Sequence, residues 1–105
     1  MNKKFILRKN EDIQDTIKKG KKIINKFYIV YYYNNDKNYN RYCISVSKKI
    51  GKANVRNLYK RRIKDILLKN NIDNSNDYVI IVRNSVLTTD YNVLKSELIS
   101  LLKGE

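Results

Sequence analysis

The chain of 105 residues contains no histidine and no proline, and it has only one cysteine and three glycines. Without histidine it lacks the side chain most often used in general acid–base catalysis, and Cys43 has no imidazole with which to form a nucleophile pair. A single cysteine excludes an internal disulfide and argues against a cysteine-based zinc site. The scarcity of glycine and proline leaves no segment typical of a flexible linker. We therefore expect one domain, 1–105, with no catalytic residue of its own.

A long apolar run is also missing from the sequence. The segment Met1–Arg8 begins like a secretory signal, but its apolar residues stop at Leu7 and the usual hydrophobic region does not follow. No later segment is long and apolar enough to cross a bilayer as a helix. Together with the low cysteine content, these features favour a cytoplasmic protein.

Acidic residues are scarce relative to basic ones. Lysine and arginine total 23 against 10 aspartate and glutamate residues, which gives a formal net charge of +13 and a pI near 9.9. Such a balance is typical of a protein that binds nucleic acid. A basic helix on a membrane surface would need a broad exposed apolar face, whereas a chain this short needs that face for its core. Nucleic acid is therefore the favoured partner, and no membrane is expected.

The hydrophobic pattern predicts a single α+β domain in the order helix, two or three strands, helix, strand, helix. Asn10 is the expected N-cap of the first helix and Gly20 its terminator. The β-branched and aromatic run from Ile23 to Tyr33 favours one strand, or two with a bend near Asn25. The other predicted segments are a turn at 34–38, a strand at 39–47, a helix from Asn54, a polar loop at 70–76, a strand at 78–83, and a last helix capped by Thr88 or Thr89 and closed by Lys103 and Gly104.

The helix predicted from Asn54 carries apolar residues on one side and cations on the other. Its apolar stripe, at the spacing of a 3.6-residue period, comprises Val55, Leu58, Tyr59, Ile63, Ile66 and Leu67. Arg56, Lys60 and Lys64 follow one another at i,i+4 on the opposite side, and each like-charge pair destabilises the helix by about 0.2–0.5 kcal/mol. The first acid after Arg56 is Asp65, too far along to offset its charge. Bound phosphates would explain a surface that folding alone disfavours.

The densest acidic group is Glu11, Asp12 and Asp15, at the start of the first predicted helix. Such carboxylates can hold Mg²⁺, but negative charge at a helix N-terminus is also stabilised by the helix dipole. We interpret this group as helix-start residues and assign no metal site to the protein.

The segment Ser45–Gly51, with the sequence SVSKKIG, runs into Arg56-Asn57 and Lys60-Arg61. This signature resembles that of the bacterial ribonuclease P protein component. The opening Lys9–Ile13, the length, the charge and the order of elements extend the resemblance over nearly the whole chain. The family usually has Arg-Asn-Arg in the middle of the basic helix, whereas the third position here is Leu58. A later position that is usually arginine is Lys64, which keeps the charge but loses bidentate geometry.

The resemblance implies a protein cofactor of a catalytic RNA that removes the 5′ leader from precursor transfer RNA. The fold it implies is a compact α/β sandwich resembling a ribosomal-protein domain, with a left-handed βαβ crossover that carries the basic helix. This hand breaks a strong general rule, so periodicity could not have predicted it. The RNA subunit would perform the chemistry, and its phosphates would hold most of the Mg²⁺.

The same resemblance implies two RNA-binding surfaces on the protein. The residues expected to contact the catalytic RNA are Lys48, Lys49, Lys52, Arg56, Asn57, Lys60, Arg61 and Lys64. The residues expected to form a groove for the single-stranded leader are Ile13, Ile17, Tyr31, Ser45 and Ser47. Leader bases stacked on Tyr31 would be bound with little regard to sequence. Many relatives have aromatic residues at the positions of Ile13 and Ile17, so weaker stacking is expected here.

Several residues and functions allow more than one interpretation. Gly51 is either a turn residue or a site of positive φ or close backbone approach. Cys43 is expected to be a small packing residue, and the stem of Arg62 is expected to lie along the edge of the core. The alternative functions are a general or ribosome-associated RNA-binding protein, a helix-turn-helix DNA-binding protein and an autonomous nuclease. The helix-turn-helix interpretation is disfavoured because strand and loop precede the basic helix.

Overall fold

Three α-helices and four β-strands make up the fold in this computed structural model, which describes residues 3–70, 72 and 74–104. The order of the predicted elements is confirmed. In chain order they are α1 (Asn10–Lys19), β1 (Lys21–Ile24), β2 (Tyr28–Asn34), β3 (Arg41–Val46), α2 (Ala53–Lys69), β4 (Asn76–Val82) and α3 (Tyr91–Lys103). Two short 3₁₀ turns, Lys3–Phe5 and Asn84–Thr88, lie before α1 and before α3.

The four strands form one mixed sheet in the order β1-β2-β4-β3. β2 pairs antiparallel with β1 and with β4, whereas β3 and β4 are parallel neighbours joined by α2. This βαβ connection places the basic helix beside the edge strand β3. The left hand of the crossover stays a prediction from the resemblance.

The core lies between one face of the sheet and helices α2 and α3. Strand alternation directs Tyr28 and Val30 of β2, and Tyr78 and Ile80 of β4, into this core, where all four are almost fully buried. The hydroxyl of Tyr28 donates to the carbonyl of Leu94 over 3.0 Å, which connects the sheet to α3. The predicted stripe of α2 is confirmed, with Tyr59, Ile63, Ile66 and Leu67 buried and Val55 and Leu58 half-buried.

The helix ends differ in part from the sequence prediction. Asn10 is not the N-cap of α1 but its first residue, because Lys9 takes the extended backbone of the cap and no side chain bonds there. The capping role predicted for Thr88 or Thr89 was also wrong, since Asp90 occupies the N-cap of α3. The hydroxyl of Thr89 donates to the Ser85 carbonyl instead. At neither helix start does the side chain of the N-cap residue accept a backbone N–H group.

Both helix-terminating glycines are confirmed, and each is required for a different reason. Gly104 ends α3 with φ of +73°, a left-handed conformation that favours glycine. Gly20 ends α1 with extended backbone, and a Cβ there would lie 2.3 Å from the carbonyl oxygen of Tyr32 and 2.4 Å from that of Thr16. The glycine therefore lets α1 pack directly on the backbone of β2.

The turns follow the predicted chemistry. The bend near Asn25 is confirmed, because its side-chain oxygen accepts the N–H groups of Phe27 and Tyr28, both over 2.9 Å. In the turn at 34–38, Asp36 and Asn38 have positive φ, which these residue types tolerate better than most. The predicted polar loop 70–76 includes positions 71 and 73, which lie outside the described residues. None of the helices described is long and apolar enough to span a membrane.

Candidate nucleic-acid interface

The face of the sheet turned away from the core forms the floor of a groove, which we call the sheet groove. Because Tyr28, Val30 and Tyr32 point toward the core, Tyr31 and its neighbours Ile29 and Tyr33 point the other way. The strand register places Lys22, Tyr31, Val79 and Cys43 in one row across the four strands. The next row along comprises Ile24, Ile29, Ile81 and Ser45. These two rows are therefore mainly apolar, with the Tyr31 ring and a small polar edge on β3.

Helix α1 lies over this face and forms one wall of the groove. Thr16 of α1 is 1% exposed against the sheet, and Asp12 approaches Arg41, whose side chain is on the same face as Cys43 and Ser45. Ile13 and Ile17 are both half-buried and lie one position from Asp12 and Thr16. Both predicted isoleucines thus lie on the α1 wall, although neither carries an aromatic ring for a base to stack on.

The cationic side of α2 forms the second wall. Burial raises the pKa of the Cys43 thiol, and the Lys60 ammonium acts in the opposite direction, so Lys60 lies close to the β3 edge of the floor. Arg56 and Lys64 occupy the positions one turn before and one turn after Lys60, and all three side chains are half-buried. The Nε atom of Arg56 is buried and has no hydrogen-bond partner. An anionic ligand would supply the acceptor that this nitrogen lacks.

These α2 cations have no carboxylate partners in the described part of the chain. The lysine that does pair on α2 is Lys69, whose Nζ lies 3.1 Å from an oxygen of Asp65 near the far end of the helix. No ion pair within 4.0 Å involves Arg56, Lys60 or Lys64 among residues 3–70, 72 and 74–104. The positive charge along this wall is therefore available to a polyanion.

The remaining residues predicted to contact the catalytic RNA are exposed on the loop before α2 and on the outer side of the helix. Lys48, Lys49 and Lys52 belong to the loop, and Asn57 and Arg61 belong to the helix. Two local bonds shape the loop: the hydroxyl of Ser47 accepts the N–H of Lys49 over 3.2 Å, and the Ser47 carbonyl accepts the N–H of Ile50. The predicted basic residues therefore fall into two groups. Arg56, Lys60 and Lys64 line the groove wall, and the others lie on the open surface.

Two further residues of this segment, Gly51 and Arg62, now have a structural explanation. Gly51 does not have positive φ; a Cβ there would meet the Val55 side chain at 3.0 Å, so close side-chain packing explains the glycine. The guanidinium of Arg62 lies 5.4 Å from the ring centroid of Tyr59, so its stem does follow the core edge and its charge rests on an aromatic face.

Sequence reasoning missed two contributors to this face. Lys22 of β1 holds its ammonium 5.8 Å from the centroid of the Tyr31 ring. Arg41 and Asp77 form a bidentate pair, with Asp77 only 5% exposed. An aspartate immediately before the apolar run of β4 was the available signal, since a buried carboxylate requires a partner.

The acidic group on α1 makes salt bridges with cationic side chains. Asp12 lies 3.5 Å from Arg41, and Asp15 lies 3.8 Å from Lys19. No group of three or more carboxylates or cysteines suited to a metal ion occurs in the described residues. A cavity of about 570 Å³ opens between the 3₁₀ turn at Lys3–Phe5 and the end of α2, and none of the predicted site residues lines it.

Comparison with known proteins gives one consistent result. The family model described as Ribonuclease P matches residues 1–104. The chain is 44% identical to the ribonuclease P protein component of Mycoplasma mycoides over 98% of its own length and 97% of the relative's. It is 36% identical to the corresponding component of Streptococcus agalactiae, over 98% and 95%.

Solved structures agree with the sequence matches. The ribonuclease P protein of Thermotoga maritima superposes with a TM-score of 0.88 at 31% identity, covering 95% of this chain and 96% of the other. That of Staphylococcus aureus gives a TM-score of 0.84 at 33% identity, covering 94% and 93%. Sequence and fold thus agree over nearly the whole length, and the chain belongs to the bacterial ribonuclease P protein family.

Proposed function

We propose that this protein is the cofactor of a ribonuclease P ribonucleoprotein, in which it binds the catalytic RNA and the 5′ leader of precursor transfer RNA. The RNA subunit performs the Mg²⁺-dependent cleavage and holds most of the metal through its phosphates. The protein contributes charge screening and positioning, which is consistent with a chain that has no histidine.

The observation that carries this proposal is that a wall of cations, unpaired within the described residues, borders an apolar floor with an aromatic ring. One wall carries Arg56, Lys60 and Lys64 without carboxylate partners among the described residues, and the floor beside it is apolar and presents the Tyr31 ring. Single-stranded nucleic acid is commonly bound in this way, with cations along the backbone and an aromatic face under the bases. A double helix would not place its bases on Tyr31.

The two surfaces divide the predicted residues. The contacts assigned to the catalytic RNA are Lys48, Lys49, Lys52, Arg56, Asn57, Lys60, Arg61 and Lys64. The contacts assigned to the leader are Ile13, Ile17, Tyr31, Ser45 and Ser47. Because the Lys60 ammonium is near enough to the groove floor to oppose the rise in the Cys43 pKa, we assign it a second contact, to leader phosphates. The cations of the loop and helix reduce repulsion between the two RNAs, which lowers the Mg²⁺ concentration that cleavage requires.

Reconstitution tests the proposal directly. The purified protein is mixed with its cognate RNA subunit and a precursor transfer RNA that carries a 5′ leader, and cleavage is followed at low and high Mg²⁺. We expect the protein to stimulate cleavage strongly at low Mg²⁺ and little at high Mg²⁺.

Two controls separate the alternatives. Protein without the RNA subunit should leave the precursor intact, and cleavage in that tube would indicate an autonomous nuclease. Binding of structured RNA with no change in the cleavage rate would support a general RNA-binding protein instead.

A further inference from the structure

An ionic cluster at one end of the sheet groove is not part of either predicted surface. Arg41 Nε donates to Asp77 Oδ1 over 2.7 Å, and Arg41 Nη2 donates to Asp77 Oδ2 over 2.6 Å. Asn35 Nδ2 also donates to Asp77 Oδ1, over 2.9 Å. The carboxylate of this nearly buried aspartate is therefore well satisfied within the sheet and the turn that follows β2.

The remaining guanidinium nitrogen of Arg41 reaches out of the sheet to α1. Arg41 Nη1 lies 3.5 Å from Asp12 Oδ2, with the Arg41 side chain 17% exposed and that of Asp12 32% exposed. This contact is longer and more exposed than the pair with Asp77. Arg41 is thus held on the sheet by Asp77, and Asp12 is the residue through which the first turn of α1 contacts Arg41.

The attachment point is close to the predicted leader contacts. The register places Tyr33, Asp77 and Arg41 in one row, adjacent on this face to the row of Tyr31, Val79 and Cys43. Alternate residues of a strand are about 6.5–7 Å apart, so Arg41 holds the first turn of α1 one row from Tyr31. Asp12 is also the immediate neighbour of Ile13.

Within helix α1 few other side-chain contacts fix this end, although the chain just before it is attached to β3, where the N–H of the buried Leu7 donates to the Tyr42 carbonyl over 2.9 Å. Thr16 is the one side chain of α1 that is fully buried. The apolar residues predicted to pack there, Ile13 and Ile17, are only half-buried. The opposite end of the helix is held by the close approach of Gly20 to the backbone of β2. With so narrow an apolar stripe, the position of the first turn depends on the Asp12–Arg41 contact and on the attachment at Leu7 that precedes it.

We propose that Asp12 and Arg41 are positioning residues that set how far α1 stands from the floor of the sheet groove, and so the affinity for a single-stranded leader. The inference rests on the function proposed above. Neither residue needs to touch RNA; their contact holds the α1 wall at the width that a strand of unpaired nucleotides requires.

The test compares Asp12→Asn with a matched control in the reconstituted holoenzyme. Asp12→Asn removes the charge that attracts Arg41 but leaves the Arg41–Asp77 pair intact. Glu11→Gln is the control, because Glu11 lies in the same first turn, is exposed, and makes no ion pair in the described structure. Both variants lose the same charge and the same interaction with the helix dipole.

The measured quantity is the ratio of affinities for precursor and mature transfer RNA. We expect Asp12→Asn to lower this ratio by about threefold to tenfold relative to Glu11→Gln, the range expected for a charge-assisted contact. Asp12→Glu keeps a carboxylate within reach of Arg41 and should stay within about twofold of the parent. Equal ratios in Asp12→Asn and Glu11→Gln would overturn the inference, as would an equal loss of affinity for both RNAs.

The outcomes also separate this inference from the proposed function. A parent holoenzyme that does not prefer precursor over mature transfer RNA would contradict the leader groove itself. A parent that prefers precursor, with Asp12→Asn unchanged, would contradict only the positioning role.

Discussion

At the scale of the residue, Lys60 and Lys69 show that the same side chain on one helix can have opposite roles. Lys69 is paired with Asp65 over 3.1 Å near the end of α2, so its charge is offset within the protein. Lys60 has no such partner among the described residues, and its charge opposes the rise in the pKa of the Cys43 thiol at the edge of the groove floor. A cation without an internal partner can neutralise a phosphate at little cost, because no existing pair has to be broken.

This difference predicts separate effects on the salt dependence of RNA binding. Lys60→Ala and Arg61→Ala should each reduce the slope of log affinity against log salt by about 0.7–0.9 for each phosphate that the native side chain neutralises. Lys69→Ala is the control from the same helix and should leave the slope unchanged. Affinities measured across a salt series give the slopes, and an unchanged slope in both Lys60→Ala and Arg61→Ala would contradict the basic surface.

Tyr31 permits a test of base stacking. Tyr31→Leu removes the ring from the groove floor, and we expect it to weaken precursor binding by about 1–3 kcal/mol per stacked base while mature transfer RNA is bound as before. Tyr31→Phe retains the ring and should bind both RNAs like the parent. The measurement is equilibrium binding of each RNA to the holoenzyme. Equal losses of affinity for precursor and mature RNA in Tyr31→Leu would remove Tyr31 from the leader site.

Tyr42 predicts a pH dependence of stability. Its ring stacks on that of Tyr78, with centroids 5.4 Å apart, and burial raises its pKa from 10.0 to about 12, opposed by a hydrogen bond from Asn40. Since the folded state holds this proton more tightly than the unfolded state, the contribution to stability is complete below pH 10 and is lost as the pH rises toward 12. Urea unfolding between about pH 9 and pH 12 should therefore show a steeper loss of stability in the parent than in Tyr42→Phe. Parallel curves would contradict the shift.

At the scale of the element, α1 is the helix that buries the fewest side chains. Its apolar stripe is thin, and its two ends are fixed by different contacts: Asp12 to Arg41 at the start, and Gly20 on the backbone of β2 at the end. By contrast, α2 buries four large side chains and α3 buries three leucines. Because few contacts hold α1, the position of this helix can change without disturbing the core.

Gly20 provides a test at this scale. A Cβ at Gly20 would lie 2.3 Å from the Tyr32 carbonyl oxygen. Gly20→Ala must therefore push α1 away from β2 and should lower the free energy of unfolding by about 1–3 kcal/mol. Gly51→Ala is the milder comparison, because its Cβ would meet only the side chain of Val55, at 3.0 Å. Urea unfolding measures both, and equal stability of Gly20→Ala and the parent would show that α1 does not rest on the β2 backbone.

At the scale of the whole molecule, charge is the dominant property. The folded state holds a net charge of +13 on 105 residues, which repels itself, and the four ion pairs among the described residues involve only three of the 23 cations, Lys19, Arg41 and Lys69. The basic surface is therefore maintained at the expense of stability. In a ribonucleoprotein, RNA phosphates would remove this repulsion.

The excess charge predicts that salt stabilises the free protein. Raising NaCl from about 0.02 M to 0.2 M shortens the Debye length from roughly 20 Å to 7 Å, which screens repulsion across the domain. The thermal unfolding midpoint should rise, whereas a sugar at matched osmolality should give a smaller change. A midpoint that falls with salt would mean that the ion pairs, and not the unpaired cations, dominate the electrostatics of the fold.

Sequence alone determined the order of the elements, the buried stripe of α2 and the excess of positive charge. These features are local or additive: a helix stripe follows from its period, a strand from its β-branched run, and net charge from a count. The family signature around Ser45–Gly51 added the expected function. The capping predictions at Asn10 and Thr88 or Thr89 failed because several polar residues near a helix start compete for the cap, and backbone geometry decides among them.

Tertiary structure decided what these residues face. The strand order β1-β2-β4-β3 makes β3 an edge strand, so the cations of α2 border the groove floor and the charge of Lys60 acts on Cys43. The contact of Arg41 with Asp12 and Asp77 joins residues distant in the chain, so no periodicity could predict it. A pattern within a segment reports the environment that each residue prefers, but only the packing of segments brings particular side chains together.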